Sequence, residues 1–181
     1  MKRISAVYGW LWGYMVLLGL LLFFLKPQVF LVFTTLQLLG CVIGFLLMPL
    51  IEAVLVEMDH EPQSLQGFLS ALRVTLGNPS SVSRPTHPSL KAIYGYPFLF
   101  GFALVAAAVL FSGAAAIGRG VILGCALFFV LDVVVSSKDK QVLRSRWFSL
   151  FPTPLKDQEL DVFVLLSIVV FGVLTLVGVS L

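Results

Sequence analysis

The sequence predicts an all-α, polytopic integral membrane bundle of about five transmembrane helices with two short interfacial amphipathic helices. Three observations carry that prediction. Apolar residues make up 59% of the 181-residue chain and charged residues only 12%, with a mean hydropathy of +1.04, so the charged surface of a soluble domain is missing. The apolar residues are gathered into runs close to the roughly 20 helical residues that cross a hydrocarbon core. The charges are gathered into short segments between those runs. Residues 1–181 read as a single transmembrane domain, because neither polar connection, about 58–93 or 137–161, can bury a core of its own.

The first two runs, 5–25 and 29–51, meet at Lys26-Pro27, which leaves room only for a tight turn and predicts a helical hairpin. Lys2 and Arg3 ahead of an apolar run resemble a secretory signal. The run is long, however, and Phe23-Phe24-Leu25 offers no small-residue cleavage site, so it reads as an uncleaved membrane helix. Tyr8, Trp10, Trp12 and Tyr14 suit the headgroup region as anchors. Gly9 and Gly13 in the first arm, and Gly40 and Gly44 in the second, each stand four residues apart on one helix face. In antiparallel arms Gly9 falls level with Gly44 and Gly13 with Gly40, which predicts a glycine-lined contact between the arms.

Beyond Ile51 the acids Glu52, Glu57 and Asp59 lead the second helix toward water, and Pro62 discourages its continuation. Glu57, Asp59, His60 and Glu61 are metal-ligand types without metal-ligand spacing, and read as a solvated helix end. In 64–76, Leu65, Phe68, Leu69, Leu72 and Leu76 recur at helical spacing in a segment too short to span, which predicts an amphipathic helix on the membrane surface or docked over the bundle. A Ser- and Pro-rich loop follows, in which Arg84 and His87 are candidate headgroup contacts.

The third span is expected over about 95–117, Gly118-Arg119-Gly120 as the next turn, and a short fourth span over 121–136. That fourth helix carries Asp132, and an acid in a membrane helix is a candidate functional group. The structural expectation is that Asp132, close to the helix end, reaches the headgroups or pairs with Lys138, Lys140 or Arg144. The functional alternative is a proton- or cation-responsive site shared with Glu52, which should lie near the same membrane face. Between the fourth span and the fifth, 162–181, Val142, Leu143, Trp147, Leu150 and Phe151 are interleaved with Arg144 and Arg146. This pattern predicts an interfacial helix whose arginines contact anionic headgroups.

Five crossings place every Lys and Arg except Lys26 and Arg119 on one side of the membrane. By the positive-inside rule that side is the cytoplasm, with the N-terminus there, the C-terminus opposite, and the plasma or inner membrane as the expected location.

The sequence also narrows the function classes. Cys41 and Cys125 stand in apolar helices without a neighbouring base or metal partner, and read as small packing residues. No zinc-protease helix motif, phosphate-cradling glycine loop or dinucleotide fingerprint is present, so no catalytic residue, metal or cofactor is assigned. Four basic residues on a short membrane-proximal loop are a weak nucleic-acid footprint. The expected partners are the lipid bilayer and other membrane protein subunits or further copies of the chain. The leading expectation is a non-catalytic subunit, scaffold or assembly partner in a membrane complex. A transport component binding an ion or small molecule near Asp132 and Glu52 is the first alternative. The second is a lipid-acting enzyme drawing on Arg84, His87, Asp132 and Glu52.

Overall fold

The computed structural model describes residues 2–25, 30–59, 95–149 and 155–180. Among them the regular elements are helices: α1 (Lys2–Leu25), α2 (Phe30–Asp59), α3 (Tyr96–Phe111), α4 (Ala116–Ser136), α5 (Lys140–Trp147) and α6 (Asp157–Ser180). Among the described residues, three stretches are long and apolar enough to cross a membrane: Val32–Glu52 within α2, Ala116–Ser136 and Asp157–Ser180. The apolar helical stretches Gly9–Leu25 and Pro97–Phe111 are shorter. The expected surface helix at 64–76, and with it Arg84 and His87, lies outside the described residues.

The helix ends follow from local chemistry. Pro97 sits in the first turn of α3, where a missing N–H leaves no helical bond unmade. At the far end, Ser112 N donates to Ala108 O at 3.0 Å, and Gly113 takes a φ of 74°, a conformation that L side chains avoid. The chain then re-enters helix at Ala116. This corrects two expectations. The third helix stops at Phe111 instead of running to Ile117, and Gly118-Arg119-Gly120 belongs to the opening turns of α4. The turn is made at Gly113, leaving Gly120 free to serve as a contact residue. Further on, Asp139 caps α5, its Oδ1 accepting from Gln141 N at 2.9 Å and Val142 N at 3.4 Å. At the start of α6, Glu159 Oε2 accepts from Lys156 N at 2.7 Å. Asp157 and Glu159 also place negative charge at the positive end of that helix dipole.

The core is built on α2 against α4, the most extensive helix pair in the bundle. Gly40 and Gly44 face the backbone of Ile117 and Val121, while Gly120 and Gly124 face the backbone of Gln37, Cys41 and Phe45. At each of these four positions a Cβ would collide with a carbonyl of the opposite helix. Cys125 Sγ donates across the seam to Gly44 O at 3.3 Å. Contact positions rise together along both chains, from Gln37 with Gly120 to Phe45 with Phe128, so α2 and α4 run parallel.

The close glycine contact therefore joins α2 to α4, and the expected one between the hairpin arms gives way to it. A Cβ at Gly9 or Gly13 would meet nothing within 4 Å. The physical reason is that the glycine pair on α2 has a matching pair, Gly120 and Gly124, on a parallel helix.

Against this pair α3 and α6 run in the opposite direction. Phe98 and Phe102 near the start of α3 pack on Phe129 toward the end of α4. Phe163 near the start of α6 packs on Trp147 and Phe148, while Gly178 near its end faces Leu123 and Leu110. Gln37 Nε2 donates to Gly178 O at 3.2 Å, joining α2 to α6. On α1, Trp10 and Trp12 point outward as expected of anchors. Tyr14 instead turns inward, sharing a 3.1 Å hydrogen bond with Thr175 of α6.

The glycine seam predicts a selective response to bulk. Gly124→Val should lower stability by about 1–3 kcal/mol through overpacking, whereas Gly13→Ala should leave it unchanged. Thermal unfolding of both variants in one mild detergent checks this.

Candidate functional site

Because α2 and α4 run parallel and in close register, their later turns bring Glu52 and Asp132 to the same end of the bundle. Both are buried, 3% and 2% exposed. The group that joins them comes from α5. Arg146, 4% exposed, places Nε 2.9 Å from Asp132 Oδ2 and an Nη nitrogen 3.5 Å from Glu52 Oε1. Trp147, fully buried beside it, donates its indole N–H to the same Asp132 oxygen at 3.1 Å.

The phase of α5 explains this arrangement. Leu143, Arg146 and Trp147 lie three and four residues apart on one face and turn into the bundle. Lys140 and Arg144 lie on another face and pair with Asp161 and Asp157 at the start of α6. Arg144 Nε also donates to Leu155 O at 3.0 Å. These outer ion pairs are partly solvated and contribute little individually. Their effect is to fix the face that α5 presents inward.

Two expectations change here. Asp132 is paired by Arg146, in place of Lys138, Lys140 or Arg144, because Lys140 and Arg144 are engaged by Asp161 and Asp157 and Lys138 is exposed in the turn before α5. Arg146 in turn is withdrawn from the headgroups into the protein, and Arg144 is engaged by Asp157. Glu52 and Asp132, expected near one membrane face, are brought together through a residue that the sequence pattern had assigned to the lipid surface. Trp147, an apolar contact in the sequence pattern, is also a hydrogen-bond donor to Asp132. Its place next to Arg146, on the stripe shared with Leu143, is the signal that would have found it.

Chemically, the cluster is a carboxylate-guanidinium-carboxylate bridge across three helices. Removing charges from water costs several kcal/mol per ion, so such a bridge persists only when its geometry supplies opposite charge and donors. Asp132 Oδ2 receives both Arg146 and Trp147, while Oδ1 is buried without a hydrogen-bond partner. Among the described residues no group of three or more His, Cys, Asp and Glu side chains is placed to hold a metal. The side chains of 57–61 lie outside the described residues. Cys41 and Cys125 are buried free thiols in the α2/α4 core, as expected of packing residues.

Beside the cluster, between α3, α4 and α6, is a cavity of about 250 Å³. Its walls are apolar, among them Leu99, Phe102, Phe129, Phe163, Phe171 and Leu174. The hydroxyl of Ser167, which also borders it, donates to Phe163 O at 2.8 Å within its own helix. Comparison of the chain with known protein families, with characterised proteins and with solved structures yields no match.

Removal of the bridging cation should be far more damaging than removal of the indole donor. Arg146→Gln strands two buried carboxylates and should cost about 3–5 kcal/mol. Trp147→Phe, which keeps most of the ring packing, should cost about 1–3 kcal/mol through the lost donor to a charged group. Unfolding midpoints of the two variants in detergent give the comparison.

Proposed function

We propose that this chain is a non-catalytic multi-pass membrane protein that serves as a subunit, scaffold or assembly partner in a membrane complex. The observation that carries this reading is the division of labour between polar and apolar side chains. The buried acids and Arg146 hold α2, α4 and α5 to one another, while the cavity beside them is apolar. Large apolar side chains, including Phe24, Val32, Phe100 and Leu165, face outward. A surface of that kind suits lipid and neighbouring helices.

In this reading α1, α2, α3, α4 and α6 all cross, the two shorter helices with help from flanking residues. The parallel run of α2 and α4, with α3 between them in the chain, supports that path. The Lys and Arg distribution then sets the N-terminus and both large connections in the cytoplasm and the C-terminus opposite. A transport role near Asp132 and Glu52 is the second reading, and the observation favouring it is the buried Asp132 Oδ1 without a donor. The apolar lining of the adjacent cavity weighs against an ion path on that side of the cluster.

Gentle-detergent purification followed by intact-complex mass measurement separates the two. The subunit reading expects a stoichiometric protein partner or a defined homo-oligomer. A lone chain carrying a reproducible small ion or metabolite, lost in Asp132→Asn, would contradict it.

A further inference from the structure

At the opposite end of the α2/α4 seam stands a cation that no described residue answers. Arg119 is only 6% exposed, and its Nε and Nη1 are buried without a hydrogen-bond partner. Among the described residues no carboxylate pairs with it. Its guanidinium carbon lies 5.9 Å from the ring centre of Phe33 on the opening turn of α2, which gives a face contact without neutralising the charge. Thr34, the next residue, is buried with an unpartnered hydroxyl. Gln37 directs its amide N–H to Gly178 O, and its own side-chain oxygen is likewise unpartnered.

The position of Arg119 sharpens the imbalance. It lies three residues into α4, about 4.5 Å along the axis from the helix start, and a helical side chain leans back toward the N-terminal turn. That turn has no side-chain cap and no acid. The free N–H groups and positive dipole end of a helix ordinarily attract negative charge, and here a buried guanidinium is added to them. Helix start, arginine and threonine hydroxyl present donors and positive charge, and among the described residues no anion receives them. In a membrane bundle this end of α4 falls near the boundary between hydrocarbon and headgroups, where phosphate oxygens are the abundant anions.

We propose that the opening turns of α2 and α4 form a phosphate-binding site, in which Arg119 supplies the counter-charge and the Thr34 hydroxyl and first-turn N–H groups of α4 supply further donors. Planar guanidinium donors match phosphate geometry, and helix starts bind the same group. The phosphate belongs to a lipid headgroup or to free phosphate, and the same chemistry serves both.

The test uses the full chain in a phosphate-free maltoside detergent and buffer, with unfolding midpoint and ligand affinity as readouts. Three probes are added separately: phosphatidylglycerol, digalactosyl diacylglycerol, which lacks phosphate, and inorganic phosphate. Phosphatidylglycerol should raise the midpoint where the galactolipid does not, and Arg119→Gln should weaken its binding at least about tenfold, the loss of one charge-assisted contact. Lys138→Gln, at the other end of the bundle, should keep wild-type affinity. If inorganic phosphate alone reproduces the gain, the site stands and its ligand is free phosphate. Should Arg119→Gln not fold, Arg119→Lys and Thr34→Val carry the test, each weakening the phosphate-dependent gain. Equal stabilisation by both lipids, a gain that survives these substitutions, or stabilisation only by a co-purified protein carboxylate with no response to phosphate would overturn the proposal.

Discussion

The backbone contact between α2 and α4 is the constraint on which the other features depend. Four glycines, two on each helix, let carbonyls of one helix occupy the space where side chains of the other would stand. In lipid, where tails are as apolar as leucine, close packing of this kind takes over much of the role that water plays in driving soluble helices together. The contact works only in one register. That register carries Glu52 and Asp132 to a common level at one end and Phe33, Thr34 and Arg119 to a common level at the other.

The two ends then resolve their charge differently. At the first, α5 folds back and inserts Arg146 between the carboxylates, with Trp147 donating to the Asp132 oxygen that faces Arg146. The cluster specifies which helices meet, and breaking it is more costly than its net contribution suggests, because each group is buried with the others as its partners. At the second end, Arg119 is buried against Phe33 of α2, and among the described residues no acid answers it. Among the described residues, one end of the seam pairs its buried acids with a guanidinium and the other holds a buried guanidinium with no carboxylate, so the two ends differ in their chemistry.

The helical class and most helix positions were legible from apolar run length alone, because backbone hydrogen bonding in lipid leaves few alternatives to helices. Gly40 and Gly44 were legible as packing residues, and Asp132 and Glu52 as residues near one face. The partner of the glycines was hidden. Assigning Gly118-Arg119-Gly120 to a turn removed Gly120 from its helix, and with it the Gly120 and Gly124 spacing that mirrors Gly40 and Gly44. Local composition could not show that Gly113 would make the turn, since several small residues lie between Ser112 and Gly120. The fate of Arg146 was hidden for a different reason. A basic and aromatic stripe suits both a lipid surface and a carboxylate-lined interior, and only the fold supplies the carboxylates.

The central claim is that α2 and α4 traverse the bundle side by side in the same direction, with their last turns on one membrane face. Single cysteines at Asp59, Lys138 and Ser112, labelled in sealed vesicles with a membrane-impermeant maleimide, test it directly. Cys41 and Cys125 are buried in the core and give a low background. Positions 59 and 138 should react from the same side of the membrane and position 112 from the other. Reaction of 59 and 138 from opposite sides would contradict the parallel pair, and with it the account of how Glu52, Asp132 and Arg146 come together.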